Sequence, residues 1–466
     1  MKILSILIIL VYLPFNSYSQ TVIVDKEIQI GQSANSSQAG AIRFNGTDFE
    51  GYDGVEWHSF TKSNFASSSI WGQPILCSLE NDKLVAANPN SSDYFGYSVS
   101  VSGNSAVIGT YLDDDAGADA GCAYVFEKAD GVWTEIAKLT ASDAVSNHWF
   151  GFSAAISNDV IVVGAYRDNG DQGAAYVFEK PMSGWVNMTE TGKLTASDGV
   201  GSDKFGTTVS ISNDQIVIGS SEDDDNGANS GSVYVFEKPV SGWISMTETA
   251  KLISSDGNGS DLFGYSVSIS DNSIVIGAHL NDQIGGDAGA AYIFEKPVGG
   301  WVNGTEDAKL TASDGSASDW FGYSVAISGD DIIVGAYGDN GQTGSAYVFQ
   351  KPSGGWITTS VSTKLESENG SGIDRLGYSV AISDGIAVVG VPYSDNPNTD
   401  QGSAIVFQKI DGTWNHSLGT LILKSSDGVT DDRSGWSVSI SGNTVFSGAF
   451  SSTGFDFGAV YVYTRK

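Results

Sequence analysis

The chain reads as an all-β protein, a seven-bladed β-propeller built from four-stranded blades. Three observations predict this. A unit recurs seven times, with glycine-to-glycine spacings of 55 or 58 residues from Gly96 to Gly435. Each unit holds four strand-like runs, the mark of a propeller blade. The last unit stops after its third run, while a run with the missing pattern stands ahead of the first unit. Composition agrees, with 58 Gly, 9 Pro and 11% aromatic residues in 466, and no apolar stretch of helical period beyond the N-terminus.

Taken in order, residues 1–20 combine Lys2, an apolar run from Ile3 to Leu13 and a polar end from Asn16 to Ser19. This is the layout of a secretory signal peptide, and the run is too short to span a membrane. Export is therefore expected, with no transmembrane span in the mature chain. Cys77 and Cys122 would then stand where a disulfide is permitted, without any spacing that suggests a metal. Residues 21–66 form a small β stalk or cap. Ile42, Phe44, Phe49, Tyr52, Val55 and Trp57, with turn signals at Asn45-Gly46 and Asp53-Gly54, give two or three short strands. This stretch resembles a short β segment of secreted Bacteroidetes-type and phage tail-fibre-like proteins.

Residues 67–466 are the propeller. In its cleanest copy, Lys309 to Trp356 and onward, the strands are expected at Phe321–Ser328, Asp331–Tyr337, Ser345–Lys351 and Trp356–Leu365. In the first strand Phe321, Tyr323, Val325 and Ile327 alternate with Gly322, Ser324 and Ala326. One face is bulky and the other nearly bare, which lets neighbouring blades approach closely around an axis. Pairing of Trp71–Leu79 with Val460–Tyr463 would complete the last blade and leave no free edge.

The recurring Phe-Gly, Gly-Ala and Tyr-Val-Phe steps resemble FG-GAP repeats, the integrin α-subunit-like propeller family. The resemblance covers Lys83 to Lys466 and implies adhesion or ligand binding. It also implies calcium in Asp-rich loops between the first and second strands. Here those loops are tight turns such as Ser328-Gly329-Asp330-Asp331 and Ser441-Gly442-Asn443. They lack the six to eight oxygen ligands calcium takes, so the family's metal sites are not carried over.

The acids stand instead in the loops that lead into each blade and in those between strands two and three. Both sets should emerge on one face. The formal net charge of −32 argues against nucleic acid or an anionic membrane as partner. Three readings of the acidic face stay open: turn chemistry that keeps the protein soluble, calcium at Asp203, Asp223, Asp224, Asp225, Asp261 and Asp319, or a protein or glycan ligand outside the cell. Residues that break the repeat would mark a ligand site: His148, Trp149, Arg167, His279, Trp320, Arg375 and Arg433. No catalytic motif is present, so the expected role is a monomeric, non-enzymatic binding or adhesion module. A polysaccharide-active enzyme working through carboxylates, or a passive surface protein, is the alternative.

Overall fold

A computed structural model describes residues 42–44, 49–52, 57–59, 79–88, 90, 92–367, 370, 372–395, 398–410, 412–414, 421–450 and 457–465. The chain divides into two units, Met1–Ile70 and Trp71–Lys466. In the first, Ile42–Phe44, Phe49–Tyr52 and Trp57–Ser59 form an antiparallel sheet in chain order, as the alternation predicts. The expected signal peptide and both turn dipeptides lie outside the described residues, as does Cys77. Cys122 is a buried free thiol.

The second unit contains seven sheets, one per sequence repeat. Their innermost strands are Ser98–Ser102, Ser153–Ser157, Phe205–Ser212, Ser266–Ser270, Ser324–Ser328, Val380–Ser383 and Ser437–Ser441, which define blades 1 to 7. Each touches the next around the ring, and the seventh touches the first. In blade 5 the antiparallel order continues through Asp331–Ala336, Ser345–Gln350 and Thr363–Leu365. The second strand is buried along its whole length, so it reads as an unbroken run of β-branched residues and small ones.

The core lies between blades, in one apolar cluster per boundary. Phe321, Val325, Tyr347 and Phe349 of blade 5 pack against Val275, Ala291 and Leu310 of blade 4. At the seam Phe95, Ile108, Tyr124 and Trp133 of blade 1 meet Phe446, Val460 and Val462 of blade 7. Blade 7 is completed from the other end of the chain by Asp82–Leu84, with Val460 opposite Leu84 and Val462 opposite Asp82. The closing strand is thus the Lys83-Leu84 step and not Trp71–Leu79. Leu79 makes one parallel bridge to Lys424, and 71–78 fall outside the described residues. The same correction holds in blades 2 to 5, where the Gly-Trp step precedes the fourth strand and its Trp is buried instead.

The first strand also begins later than alternation suggests. Phe321-Gly322 is a turn, closed by the Tyr323 N–H donating to the Trp320 carbonyl at 3.1 Å. Gly322 holds φ +92, the left-handed third position of a type II turn that favours glycine. Phe321 therefore drops into the core, and Tyr323 swings toward the axis. Blade boundaries are closer still. A Cβ on Gly335 would lie 2.0 Å from the Gly377 carbonyl oxygen of the next blade. Beside it the Ser324 hydroxyl donates to that same oxygen at 2.8 Å. Ser437 does likewise to Gly96 across the seam, at 2.8 Å. Among the described residues no helix is long and apolar enough to cross a membrane.

Gly335→Ala should therefore cost about 3 kcal/mol or more, because backbone on both sides must move. Gly354→Ala, with nothing within 4 Å of the new methyl, should stay within about 0.5 kcal/mol. Chemical denaturation of the two variants checks the contrast, and equal effects would contradict it.

Candidate binding face

The loops entering each blade and those between strands two and three do share one face, joined by backbone hydrogen bonds such as Tyr393 N–H to the Asp374 carbonyl at 3.3 Å. The residue before each Phe-Gly turn, or its variant in blades 6 and 7, forms a crown on this face: Tyr94, Trp149, Lys204, Leu262, Trp320, Arg375 and Arg433. All seven are half-buried and lie at φ between +55 and +60, uncommon for bulky side chains. The frame imposes this conformation. The Arg375 N–H donates to the Gln342 carbonyl of blade 5 at 2.9 Å, and Trp320 and Arg433 repeat the bond to Asp287 and Asp400 at 3.2 and 3.1 Å.

In blades 2 to 6 the crown residue has a partner eighteen positions on, on the loop between strands two and three of the same blade. The pairs are complementary in different ways. The Arg167 guanidinium lies 4.3 Å from the Trp149 ring centroid, and that of Arg375 lies 4.3 Å from the Tyr393 centroid. Lys204 pairs with Glu222 at 2.5 Å. Trp320 covers Gly338, where a Cβ would come within 2.9 Å of the indole. Leu262 and Leu280 occupy the same two positions in blade 4.

Inside the crown, aromatic rings close the axis. Tyr97 lies 4.9 Å from Phe152 and 5.7 Å from Trp436, Trp436 lies 4.4 Å from Tyr378, and Tyr323 lies 5.1 Å from both Tyr378 and Tyr265. Thr207 stands at the equivalent position in blade 3. With the serines of the inner strands, all of these rings but Tyr265 line an axial cavity of about 240 Å³. His279 belongs to this plug, 7% exposed, with its ring 4.2 Å from Tyr265. Burial pushes its pKa down to about 3, so it packs as a neutral ring where blades 1, 2 and 5 use Tyr111, Tyr166 and Tyr337.

The carboxylates form two tiers. Asp93, Asp203, Asp261, Asp319 and Asp432, each preceding a crown residue, are buried and accept the backbone N–H three residues earlier. Burial raises the pKa of the first four, that of Asp93 to about 6. His148 fills this position in blade 2, with Nδ1 3.4 Å from Asp168 Oδ1. The second tier is held by a fourth-strand lysine. Lys251 lies 2.8 Å from Asp198 and 3.2 Å from Asp223 and also pairs with Asp225. Asp223 further accepts from Ser232 and Tyr234, each at 2.8 Å, and Asp224 accepts the Asn229 N–H at 2.7 Å. Asp203 is near enough for the charges of Asp223 and Asp224 to add to its burial in raising its pKa. Of the four acids expected together here, Asp223 and Asp225 contact the ammonium group and Asp203 and Asp224 accept backbone N–H groups, while Asp261 bonds Asn281 at 2.9 Å and Asp319 stays with its own turn. Among the described residues no three His, Cys, Asp or Glu are placed to hold a metal ion. The tight turns between first and second strands, on the opposite face, do not fit the family's calcium loop. The Asp330 carbonyl there is taken by the Lys351 N–H at 2.8 Å.

Two grooves open on the face. One of about 490 Å³ in blade 5 is lined by Asp314, Asp319, Trp320, Asp339, Asn340 and Gln342. One of about 500 Å³ in blade 2 is lined by Asp143, His148, Asp168, Asn169, Gln172 and Lys193. Each has an Asp-Asn-Gly turn, Asp168–Asp171 or Asp339–Gln342, whose last three residues take left-handed φ. Of the residues expected from sequence, Trp149, Trp320, Arg375 and Arg433 prove to share one structural position, and Arg167 joins Trp149. His279 stands apart in the plug. Tyr94, Lys204, Leu262 and Tyr393 escaped the sequence reading. Aligning the copies on the residue before Phe-Gly would have found all but the last.

Fold and face together define a repeat-built propeller with one structured, variable face. A family model described as the FG-GAP repeat matches residues 79–126, 133–178, 188–236, 246–294, 305–349, 360–407 and 421–463, more than half of the chain. The chain belongs to the FG-GAP repeat family. No curated protein matches it.

Blade 6 replaces the lysine-carboxylate device as a set. Ile422, Ile405 and Ser394 stand where blade 5 has Lys364, Tyr347 and Asp339. Lys364→Ile alone leaves the buried Asp339 without its 2.6 Å partner and should cost about 3–5 kcal/mol. The triple change Lys364→Ile, Tyr347→Ile, Asp339→Ser should restore most of that in urea unfolding. A triple variant no more stable than the single one would refute the account.

His279 sets a pH dependence. Its folded pKa of about 3 lies below the ordinary value near 6.5, so the unfolded chain takes up a proton first as pH falls. Stability is lost from about pH 6.5 downward, by up to about 2 kcal/mol between pH 6.5 and 5. Asp93 acts with the opposite sign in the same window, since its folded pKa is raised. The difference between wild type and His279→Tyr isolates the histidine: unfolding free energies at pH 7.5 and 5 should diverge, and parallel curves would contradict the assignment.

Proposed function

We propose that this FG-GAP propeller is an exported binding module whose acidic-loop face recognises glycans, through the grooves of blades 2 and 5. The supporting observation is that the same groove is built twice, three blades apart. Trp320 lines the groove of blade 5, and in blade 2 the groove is lined by His148, the residue before Trp149; both have carboxylate, amide and backbone groups on a left-handed turn. A flat aromatic face flanked by hydrogen-bonding groups suits a sugar ring. Export rests on the character of residues 1–20.

Calcium is not required in this reading, because Lys193 and Lys364 already balance the carboxylates of the two grooves. An enzymatic reading finds one point of support in blade 5, where the Asp314 carboxyl is held below and Asp319 above the usual range. The same division recurs at Asp198 and Asp203 of blade 3, which marks it as a property of the repeat.

A glycan array followed by calorimetry on the best hit tests the proposal. Trp320→Ala and Trp149→Ala should each weaken binding roughly tenfold, about 1.4 kcal/mol, with unchanged affinity in EDTA and no release of reducing ends. Absence of any glycan hit would overturn it, and release of reducing ends would favour the enzyme.

A further inference from the structure

On a chain of net charge −32, blades 6 and 7 place two arginines that no described carboxylate pairs within salt-bridge distance. Arg375 and Arg433 converge on one ring, their guanidinium carbons 4.3 and 4.9 Å from the Tyr393 centroid. Arg433 also lies 5.9 Å from the Phe450 centroid. Arg375 Nε donates to Gln342 Oε1 at 3.2 Å, whereas Arg433 Nε is buried with no acceptor among the described residues. Aromatic contact leaves the outer guanidinium edges, which carry the paired donors, without a hydrogen bond to the described residues.

The local chemistry explains why the pair persists unneutralised. The loop position that holds Asp113, Asp168, Asp223 and Asp339 in other blades is Ser394 here. The blade also lacks the fourth-strand lysine that such a carboxylate would need, having Ile422 instead. Asp374 and Asp432 precede the two arginines in the chain, Asp395, Asp400 and Asp431 stand on the neighbouring loops, and Asp400 feels both arginines without an ion pair to either.

We propose that Arg375 and Arg433, stacked on Tyr393, form a carboxylate site for a singly acidic sugar in an otherwise neutral glycan. The inference rests on the glycan reading and specifies its ligand. One carboxylate is the fitting charge: two guanidiniums hold it bidentately at short range, while the acidic surround repels a polyanion at distances up to a Debye length. A neutral sugar would leave the arginines' donors unmet.

The test measures binding of xylotriose carrying one glucuronic acid, of its methyl ester, and of plain xylotriose, by calorimetry at about 0.15 M salt. The acid form should bind at least tenfold tighter than the ester, which has the same shape without the charge. Arg375→Gln/Arg433→Gln should abolish that preference, the acid and the ester then binding alike, and Arg375→Lys should lose part of it, since an ammonium cannot bind bidentately. Thermal unfolding of each variant shows that the ring is intact. Equal binding of acid and ester by the wild type, or a preference surviving in the double variant, overturns the carboxylate site while the glycan reading stands. If neither these sugars nor any on the array bind, the glycan reading fails and takes this inference with it. Binding of tetraglutamate in place of the sugars also overturns it.

Discussion

Backbone meets backbone at every blade boundary, and the remaining architecture follows from that approach. The glycine near the end of each second strand lies against the carbonyl of the next blade's Phe-Gly turn, as Gly335 does against Gly377 and Gly448 against Gly96. No side chain fits there, so the separation of blades is set by main-chain atoms and does not drift from copy to copy. The serine hydroxyls that donate to the same carbonyls hold the contact in register, as at Ser98 to Gly151 and Ser379 to Gly435. A boundary fixed to this degree makes a cooperative ring, in which each apolar cluster exists only when both neighbours are in place.

Rigid boundaries also decide where variation is allowed. The Phe-Gly turn forces the preceding residue into the left-handed region in all seven blades, whatever its side chain. The backbone conformation is therefore a property of the frame, and the side chain at the crown is free to change if its partner eighteen residues on changes with it. Trp149 with Arg167, Lys204 with Glu222, and Trp320 with Gly338 are three chemically unrelated solutions to one steric problem. The variable surface of this face is thus assembled from paired substitutions on an invariant main chain.

How far the sequence reveals this depends on the kind of interaction. The ring was legible because its determinants are backbone requirements that recur: glycine at the turn, glycine in the second strand, and a bare face on the first. Sequence places the closing strand a few residues too early because the Gly-Trp step reads as strand. In fact Trp301 lies buried between blades, bonding Gln215 of blade 3 at 2.6 Å. The acidic face was legible as composition, but its counter-charges were not. Lys251 and Lys364 read as strand markers, and only the fold shows each reaching carboxylates on two loops. His279 looked like an exposed loop residue because polarity does not announce burial. The ring is in place of a tyrosine, and an alignment of the copies at that position would have suggested as much.

Departures from the repeat then separate into two kinds. Where a change is matched within its own blade, as when blade 6 exchanges lysine, tyrosine and aspartate together for Ile422, Ile405 and Ser394, the frame explains it completely. The exchange removes a buried charge and its partner in one step, leaving neither unpaired. Where a change creates an unmet need, the frame does not explain it. Arg375 is matched to Tyr393 by stacking alone, and Arg433 leans on the same ring from the next blade, so a single tyrosine serves two cations. Stacking satisfies a guanidinium's face and not its hydrogen-bond donors. The same exchange that rid blade 6 of its buried carboxylate removes the acceptor that other blades hold at that position, so the boundary that departs furthest from the common chemistry is also the one that would receive a charge from outside.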